Sequence, residues 1–338
     1  MRAKGITYDT GFIHGGISRE HFEADVVRRE LTIIRDDLHC NAVRVIGGDP
    51  DRLETAATIA AGLGLEVWFS PFVCDLTEAE MLDLLRDCAS RAERVRRTGA
   101  EVVFVTGGEL TLTNHGFLPG DTIEQRLSLL NDPATLRAAM REARKRLDEF
   151  LGAAVPAVRE RFGGKVTYAA IHPLEGIDWT PFDFVSIDLY RTAEVADRLE
   201  PGVRHLVERG KPVAITEFGC ATYKGAADLG ARAGEIIEWS DDGTPVRLKG
   251  EYVRDEAEQA ACVRELLEIF DRTGVDSTFV FTFAAHALPH RDGDPRDDLD
   301  LASYGIVKLL EGRGGETYPG MDWEPKAAFA AVAGSYGE

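Results

Sequence analysis

The chain has 338 residues, of which 58 are acidic and 39 basic, for a formal charge of -19. That balance excludes a nucleic-acid-binding surface and an anionic membrane face, both of which need positive charge. The hydrophobic fraction of 44% is ordinary for a water-soluble chain with a large core. No run of about 18 apolar residues marks a membrane span, and the first residues lack the apolar core of a signal peptide. The five cysteines, Cys40, Cys74, Cys88, Cys220 and Cys262, are odd in number and form no CxxC pair, which suits reduced thiols in a cytoplasmic protein.

Short β-branched or aromatic runs alternate with helical patterns about eight times along the chain. The predicted strands are Ala3–Asp9, Ala42–Gly47, Glu66–Pro71, Val102–Gly108, Lys165–Ile171, Phe184–Tyr190, Pro212–Phe218 and Ser277–Ala284. They are almost continuously apolar, as parallel strands buried on both faces should be. Between the third and fourth, Thr77 and Glu80 have the spacing of a capping box. Asp132 and Pro133 read as N-cap and first residue of a helix, with Leu136, Met140, Ala143, Leu147 and Leu151 on its apolar face. Gly64, Gly99, Gly163, Gly210 and Gly274 stand shortly before strands, where a helix closes on a left-handed glycine.

Strand–helix alternation implies a parallel sheet with right-handed crossovers, and eight units favour closure into a (β/α)8 barrel. An open doubly wound sheet would carry a glycine-rich phosphate loop after its first strand, but this chain reads Thr7-Tyr8-Asp9-Thr10-Gly11 there. The whole of 1–338 is expected to be one domain. Two connections are long, about Leu110–Asp132 after the fourth strand and about 220–252 after the seventh. The second contains a hairpin pattern, Glu235–Trp239 and Pro245–Lys249, around Asp241-Asp242-Gly243-Thr244. From Ser303 onward the chain reads as a closing segment and a final helix.

In a barrel, polar residues at the C-terminal strand ends are the candidates for chemistry. The fourth strand ends in Thr106-Gly107-Gly108-Glu109, and the seventh in Ile215-Thr216-Glu217-Phe218-Gly219. A carboxylate directly after a buried run loses hydration and needs compensation. Two of them, facing each other across the barrel mouth, form the constellation of retaining glycoside hydrolysis, which uses carboxyls about 5–5.5 Å apart. For either glutamate alone, an ion pair with a barrel arginine is the structural alternative.

These motifs resemble those of the clan A glycoside hydrolases, a large set of retaining (β/α)8 enzymes. The fifth-to-last residue group of strand seven, Ile215 to Gly219, is similar to the clan's ending of that strand. Asn41-Ala42-Val43-Arg44-Val45 resembles its second strand, and Asp322-Trp323-Glu324-Pro325-Lys326-Ala327-Ala328-Phe329 its closing segment. The resemblance implies Glu109 as acid/base, Glu217 as nucleophile and Arg44 as the residue that supports Glu217. It fails at Gly108, where the clan places an asparagine that holds the sugar 2-hydroxyl, and at Phe281-Thr282-Phe283, where it commonly offers a tryptophan. Asn114 is a candidate for the missing contact.

Arg44 would favour the charged form of Glu217, and burial beside that charge would keep Glu109 protonated. Tyr190 is placed to hydrogen-bond Glu217 or to pack on the barrel. Asp9 and Asp188 could hold sugar hydroxyls, or pair with Lys4 and Arg191. His172 and His286 are hydroxyl ligands or structural histidines. Trp68 reads as core and Trp239 as a sugar platform. The acidic stretch Asp292–Asp300 lacks EF-hand spacing, and His115 has no second histidine at metal spacing, so no metal or cofactor is expected. The expected partner is a small carbohydrate or glycoside. Two other readings remain: a metal-dependent barrel hydrolase or isomerase using His172, Asp188, Glu217 and His286, and a carbohydrate-binding barrel without catalysis.

Overall fold

Eight of the apolar runs form strands in the computed structural model, which describes every residue except Gly15, Asp241, Asp242 and Glu338, and no side chain of Ile13, His14 or Pro133. The strands are β1 (Ala3–Asp9), β2 (Ala42–Gly47), β3 (Glu66–Pro71), β4 (Val102–Gly108), β5 (Lys165–Ile171), β6 (Val185–Asp188), β7 (Val213–Phe218) and β8 (Ser277–Val280). Each pairs in parallel with its chain neighbours, and β1 pairs with β8, so the sheet closes into a barrel. Two strands are shorter than the sequence pattern suggests. β6 stops at Asp188, before Leu189 and Tyr190, and β8 stops at Val280, one residue before the cis peptide between Phe281 and Thr282.

The helices that cover the barrel are α1 (Ala24–Asp36), α2 (Pro50–Gly62), α3 (Glu78–Arg96), α4 (Pro133–Arg159), α5 (Ala196–Val207), α6 (Glu256–Thr273) and α7 (Ala327–Gly337). The capping box of Thr77 and Glu80 forms, and Asp132 caps α4 through the Ala134 and Thr135 N–H groups. Gly64, Gly99, Gly210 and Gly274 adopt left-handed φ, whereas Gly163 does not. None of the described helices is long and apolar enough to cross a membrane.

The expected helix is missing from one crossover. Residues 172–184, between β5 and β6, form no helix. Those thirteen residues must return along a seven-residue strand of roughly 23 Å. An extended chain makes that return easily, but ten helical residues would rise only about 15 Å. Pro173 and Pro181 remove two backbone donors from the segment. It is tied down instead by Arg144, which donates to the Leu174 and Pro173 carbonyls, and by Lys211, which donates to those of Trp179 and Phe182.

Inside the barrel, Trp68 fills the lumen between Phe184 and Phe279, with ring centroids 5.0 and 4.7 Å away. Ala42, Trp68, Phe184 and Ala214 face this plug. Two positions further along the same strands stand Arg44, Ser70, Ser186 and Thr216, on the same face by strand alternation and all buried. An apolar floor thus carries a polar layer at the C-terminal end of the barrel.

Both long connections rise from that end. The first holds short helices at Leu110–Thr113 and Ile123–Ser128. The second forms the expected hairpin, Ile237–Trp239 against Pro245–Leu248, while Asp241 and Asp242 of its turn lie outside the described residues. Arg296 pins the hairpin through Glu238 and the Leu248 carbonyl.

The acidic stretch Asp292–Asp300 serves the chain's own cations. Asp298 and Asp300 bind Arg254 at 2.7 and 2.8 Å, and Asp300 also binds the buried Lys326 of the closing segment at 2.8 Å. Removing one member of a buried ion pair leaves an uncompensated charge, so Lys326→Met should lower stability by about 3–5 kcal/mol. Urea unfolding of the variant checks this. The double variant with Asp300→Asn should recover part of the loss.

Candidate active site

Glu109 and Glu217 both reach the barrel mouth because their strands carry an extra residue. Between Ile187 and Asp188 β6 advances one residue, while β7 advances two, from Ile215 to Glu217. On the other side β8 advances two, from Thr278 to Val280, while β7 advances three, from Ile215 to Phe218. β4 likewise spends three residues, Val105 to Gly108, against two on β5, Thr167 to Ala169. Each irregularity has the count of a β-bulge, which re-aims the side chain that follows.

Glu109 itself is left-handed, with φ 50° and ψ 36°, an unfavourable conformation for a residue with a Cβ. Its N–H donates to Ala169 O at 2.9 Å, and its carbonyl accepts from the Leu112 and Thr113 N–H groups. After Glu217 the chain needs Gly219, because a Cβ there would meet the Phe281 carbonyl oxygen at 2.5 Å.

The two carboxyls have opposite surroundings. Arg44, fully buried, donates from Nη1 to Glu217 Oε1 at 2.7 Å and to the Thr216 carbonyl at 3.0 Å, and from Nε to Ser70 Oγ at 3.2 Å. Tyr190 Oη donates to Glu217 Oε2 at 3.1 Å. Its ring rests edge-on against Tyr304 at 5.6 Å. Glu217 therefore accepts one donor on each oxygen, as an ionised carboxylate does. Glu109 has no such donors in view. Burial, then the charges of Asp188, Glu217 and Glu175, push its pKa well above the usual carboxylate range, with Arg44 opposing them. That direction favours its protonated form.

Asp188 pairs with Glu217 in register and is buried. Burial, and then the Glu217 charge, push its pKa well up as well. Neither of its oxygens has a partner in good hydrogen-bond geometry, nor do Arg44 Nη2 and Thr216 Oγ1, although the Thr216 hydroxyl lies near enough to lower the Asp188 pKa in part. A Cβ at position 108 would stand 3.5 Å from Arg44 Nη2, an ordinary contact. Asp188 does not pair with Arg191, which turns to Asp228 and Glu265 at 3.6 and 3.9 Å.

Other predicted residues have different settings. Asp9 is buried and accepts from Gly11 N–H at 2.6 Å and Ser18 Oγ at 3.1 Å; burial raises its pKa to about 6 against those donors. Lys4 instead donates to the Tyr336 carbonyl. The Asn114 amide is occupied within the fold, accepting from Leu76 N–H and donating to Thr113 Oγ1, so the contact expected of it at the sugar is not available. His172 is exposed at the end of β5. His286, after β8, is kept neutral by burial, with Arg19 as a further cause. Trp239 is 53% exposed on the hairpin, and Trp68 is core. Among the described residues no three His, Cys, Asp or Glu side chains are grouped to hold a metal, so His172, Asp188, Glu217 and His286 do not form the gathering that a metal reading pictured. Sequence reasoning missed Ser70, Tyr304, Tyr168 and Glu175. Only Tyr168, a phenol within a buried strand, carried a signal, since its hydroxyl needs a partner.

No protein-family model matches the chain, and no curated protein matches its sequence. Solved structures do match. A GH113 β-1,4-mannanase aligns over 100% of this chain and 99% of its own, with TM-score 0.63 and 17% identity. *Thermotoga maritima* Cel5A aligns over 98% and 96%, with TM-score 0.55 and 11% identity. The β-glucuronidase of *Parabacteroides merdae* aligns at TM-score 0.57 and 14% identity, this whole chain spanning 37% of that one. At these identities the likeness is one of fold, the closed (β/α)8 barrel that these glycoside hydrolases share with this chain.

The Asp188 environment predicts a pH-dependent stability. An unfolded aspartate loses its proton near pH 4, whereas the folded one keeps it to higher pH. The unfolded state then binds fewer protons, so stability falls as pH rises above the unfolded value. Asp188→Asn cannot titrate and should be the more stable protein at pH 8, by more than about 1 kcal/mol, with the difference shrinking towards pH 4. Urea unfolding of both proteins across that range measures it.

Proposed function

We propose that the protein hydrolyses β-linked glycosides with retention of configuration, Glu109 serving as acid/base and Glu217 as nucleophile. The observation that carries this is the opposed environment of the two carboxyls: Glu217 accepts from Arg44 and Tyr190, whereas Glu109 has no such donor and burial raises its pKa. A retaining double displacement needs that division at rest.

In the first step a Glu217 oxygen attacks the anomeric carbon as the bond to the leaving oxygen breaks, and Glu109 transfers its proton to that oxygen. The product is a glycosyl ester on Glu217, and the leaving alcohol departs. Glu217 has now lost its charge, one of the causes that raised Glu109, so the Glu109 pKa falls and Glu109, having given up its proton, stands as a carboxylate that can accept one. It takes one from water, whose oxygen attacks the anomeric carbon and releases Glu217 as a carboxylate.

The β linkage is drawn from the neighbours, named as a β-1,4-mannanase, a β-glucuronidase and a β-glucosidase. A neutral glycone suits the mouth better than an anionic one, because Arg44 is already paired with Glu217 among several carboxyls. Trp239, His172 and His286 are the candidates for the outer wall. We place the reaction on small glycosides in the cytoplasm, where the five free cysteines would stay reduced.

A panel of aryl β-glycosides tests the reading. Turnover should fall by roughly 10³-fold or more in Glu217→Gln, and by about 10²–10⁴-fold in Glu109→Gln on substrates with poor leaving groups. Proton NMR of the first-formed sugar should show the β anomer. An α anomer would replace double displacement by inversion, and full turnover in Glu217→Gln would remove Glu217 from the nucleophile's role.

A further inference from the structure

The fifth crossover, the one without a helix, carries a glutamate into the interior. Glu175 is 1% exposed. Its Oε1 accepts from Thr111 N–H at 3.2 Å, Thr111 Oγ1 at 2.8 Å and Tyr168 Oη at 2.9 Å, and its Oε2 accepts from Ile171 N–H at 3.0 Å. Four donors and no acceptor converge on this group. That supply of donors favours the carboxylate and opposes the burial that raises its pKa. No lysine or arginine pairs with it among the described residues, so its charge is balanced by dipoles alone.

The groups that Glu175 holds belong to the turn that carries Glu109. Tyr168 Oη, which donates to Glu175, accepts the Leu110 N–H at 2.8 Å. Thr111, two residues past Glu109, is bound through both its N–H and its hydroxyl. Ile171 N–H anchors the other oxygen to the end of β5. Glu109 is left-handed at this turn, a conformation that persists only where its surroundings impose it. Its own N–H is fixed to Ala169 of the same strand. The residues on either side of Glu109 are therefore clamped to β5, one side by Ala169 and the other by Tyr168 and Glu175.

We propose that Glu175 is a positioning residue for Glu109: it locks the turn that aims the Glu109 carboxyl and keeps a buried negative charge beside it. This rests on the acid/base role given to Glu109 above. The other groups around Glu109 are Arg44 from β2, Cys74 after β3, Tyr168 from β5, Asp188 from β6, Tyr190 after it and Glu217 from β7. Of these, Glu217 loses its charge when the glycosyl ester forms. Glu175 is the anion in the set that reaction leaves unchanged and substrate does not touch. Its field acts on Glu109 in both half-reactions, and so supports proton donation in the first and strengthens the base in the second.

The test follows Glu109 without any substrate. Full-length protein labelled with ¹³C at glutamate side chains is titrated, and Glu109 is assigned by its loss in Glu109→Gln. In Glu175→Gln the Glu109 midpoint should fall by about one pH unit; a midpoint that stays within about 0.2 unit of the wild type overturns the proposal. The wild-type titration decides independently, should Glu175→Gln fail to fold. Glu175 must lose its proton at lower pH than Glu109, and the reverse order also overturns the proposal. On aryl glycosides, Glu175→Gln should lose at least about tenfold more activity towards phenyl than towards dinitrophenyl leaving groups, which need no proton. Equal losses on both would reduce Glu175 to a scaffold role. If no glycoside is turned over by the wild type, the proposed function fails while the titrations still decide the place of Glu175.

Discussion

The site depends on one guanidinium that has left water completely. Arg44 lies on the axis-facing side of β2, above a floor of Trp68, Phe184 and Phe279, and has Glu217 as its counter-charge. A buried pair of this kind returns little net stability, because desolvating both charges offsets most of their attraction. Its value here is geometric. The guanidinium plane fixes Glu217 Oε1, the Thr216 carbonyl and Ser70 together, and Tyr190 completes the cradle from the far side. Beyond it, Gly219 lets the chain pass under the Phe281 carbonyl, where a Cβ would not fit.

Around that cation stand four acids, Glu109, Glu175, Asp188 and Glu217, and one positive charge cannot balance them all. The protein sorts them by the donors it supplies. Glu217 receives a guanidinium and a phenol, and Glu175 receives two backbone N–H groups and two hydroxyls. Those two can remain anions. Glu109 and Asp188 receive no comparable supply, and burial with the neighbouring charges raises both their pKa values. Acid and base are thus assigned by hydrogen-bond supply, with residue type the same on both sides.

Much of this was visible in the sequence because it follows from local rules. Buried parallel strands are continuous apolar runs, so six of the eight appeared with both ends correct or within one residue, and Glu109 and Glu217 stood out at two of their ends, while Arg44, inside its strand, was indicated only by the family resemblance. Caps such as Thr77 and Asp132 are equally local. The losses were of a different kind. Asn114 is one polar residue in a loop, and only the fold shows its amide turned to Leu76 and Thr113. Glu175 sits in a segment without periodicity, and its partners come from β5 and from the turn after β4. The helix-free crossover was a matter of distance to be spanned, which a pattern count does not register.

The extra residue in β4 and in β7 has a consequence for how this site can change. Side chains on a strand alternate with period two, so a bulge reverses the parity of everything after it. Glu109 and Glu217 face the lumen by virtue of an odd count as much as of their chemistry. Point substitutions explore the identity of the groups at the mouth one at a time. A single-residue deletion in either strand would exchange the inward and outward sets together, turning the carboxyl towards the helices and presenting its apolar neighbour instead. The reading frame of these two strands is therefore a stricter constraint on the lineage than most of the residues written in it.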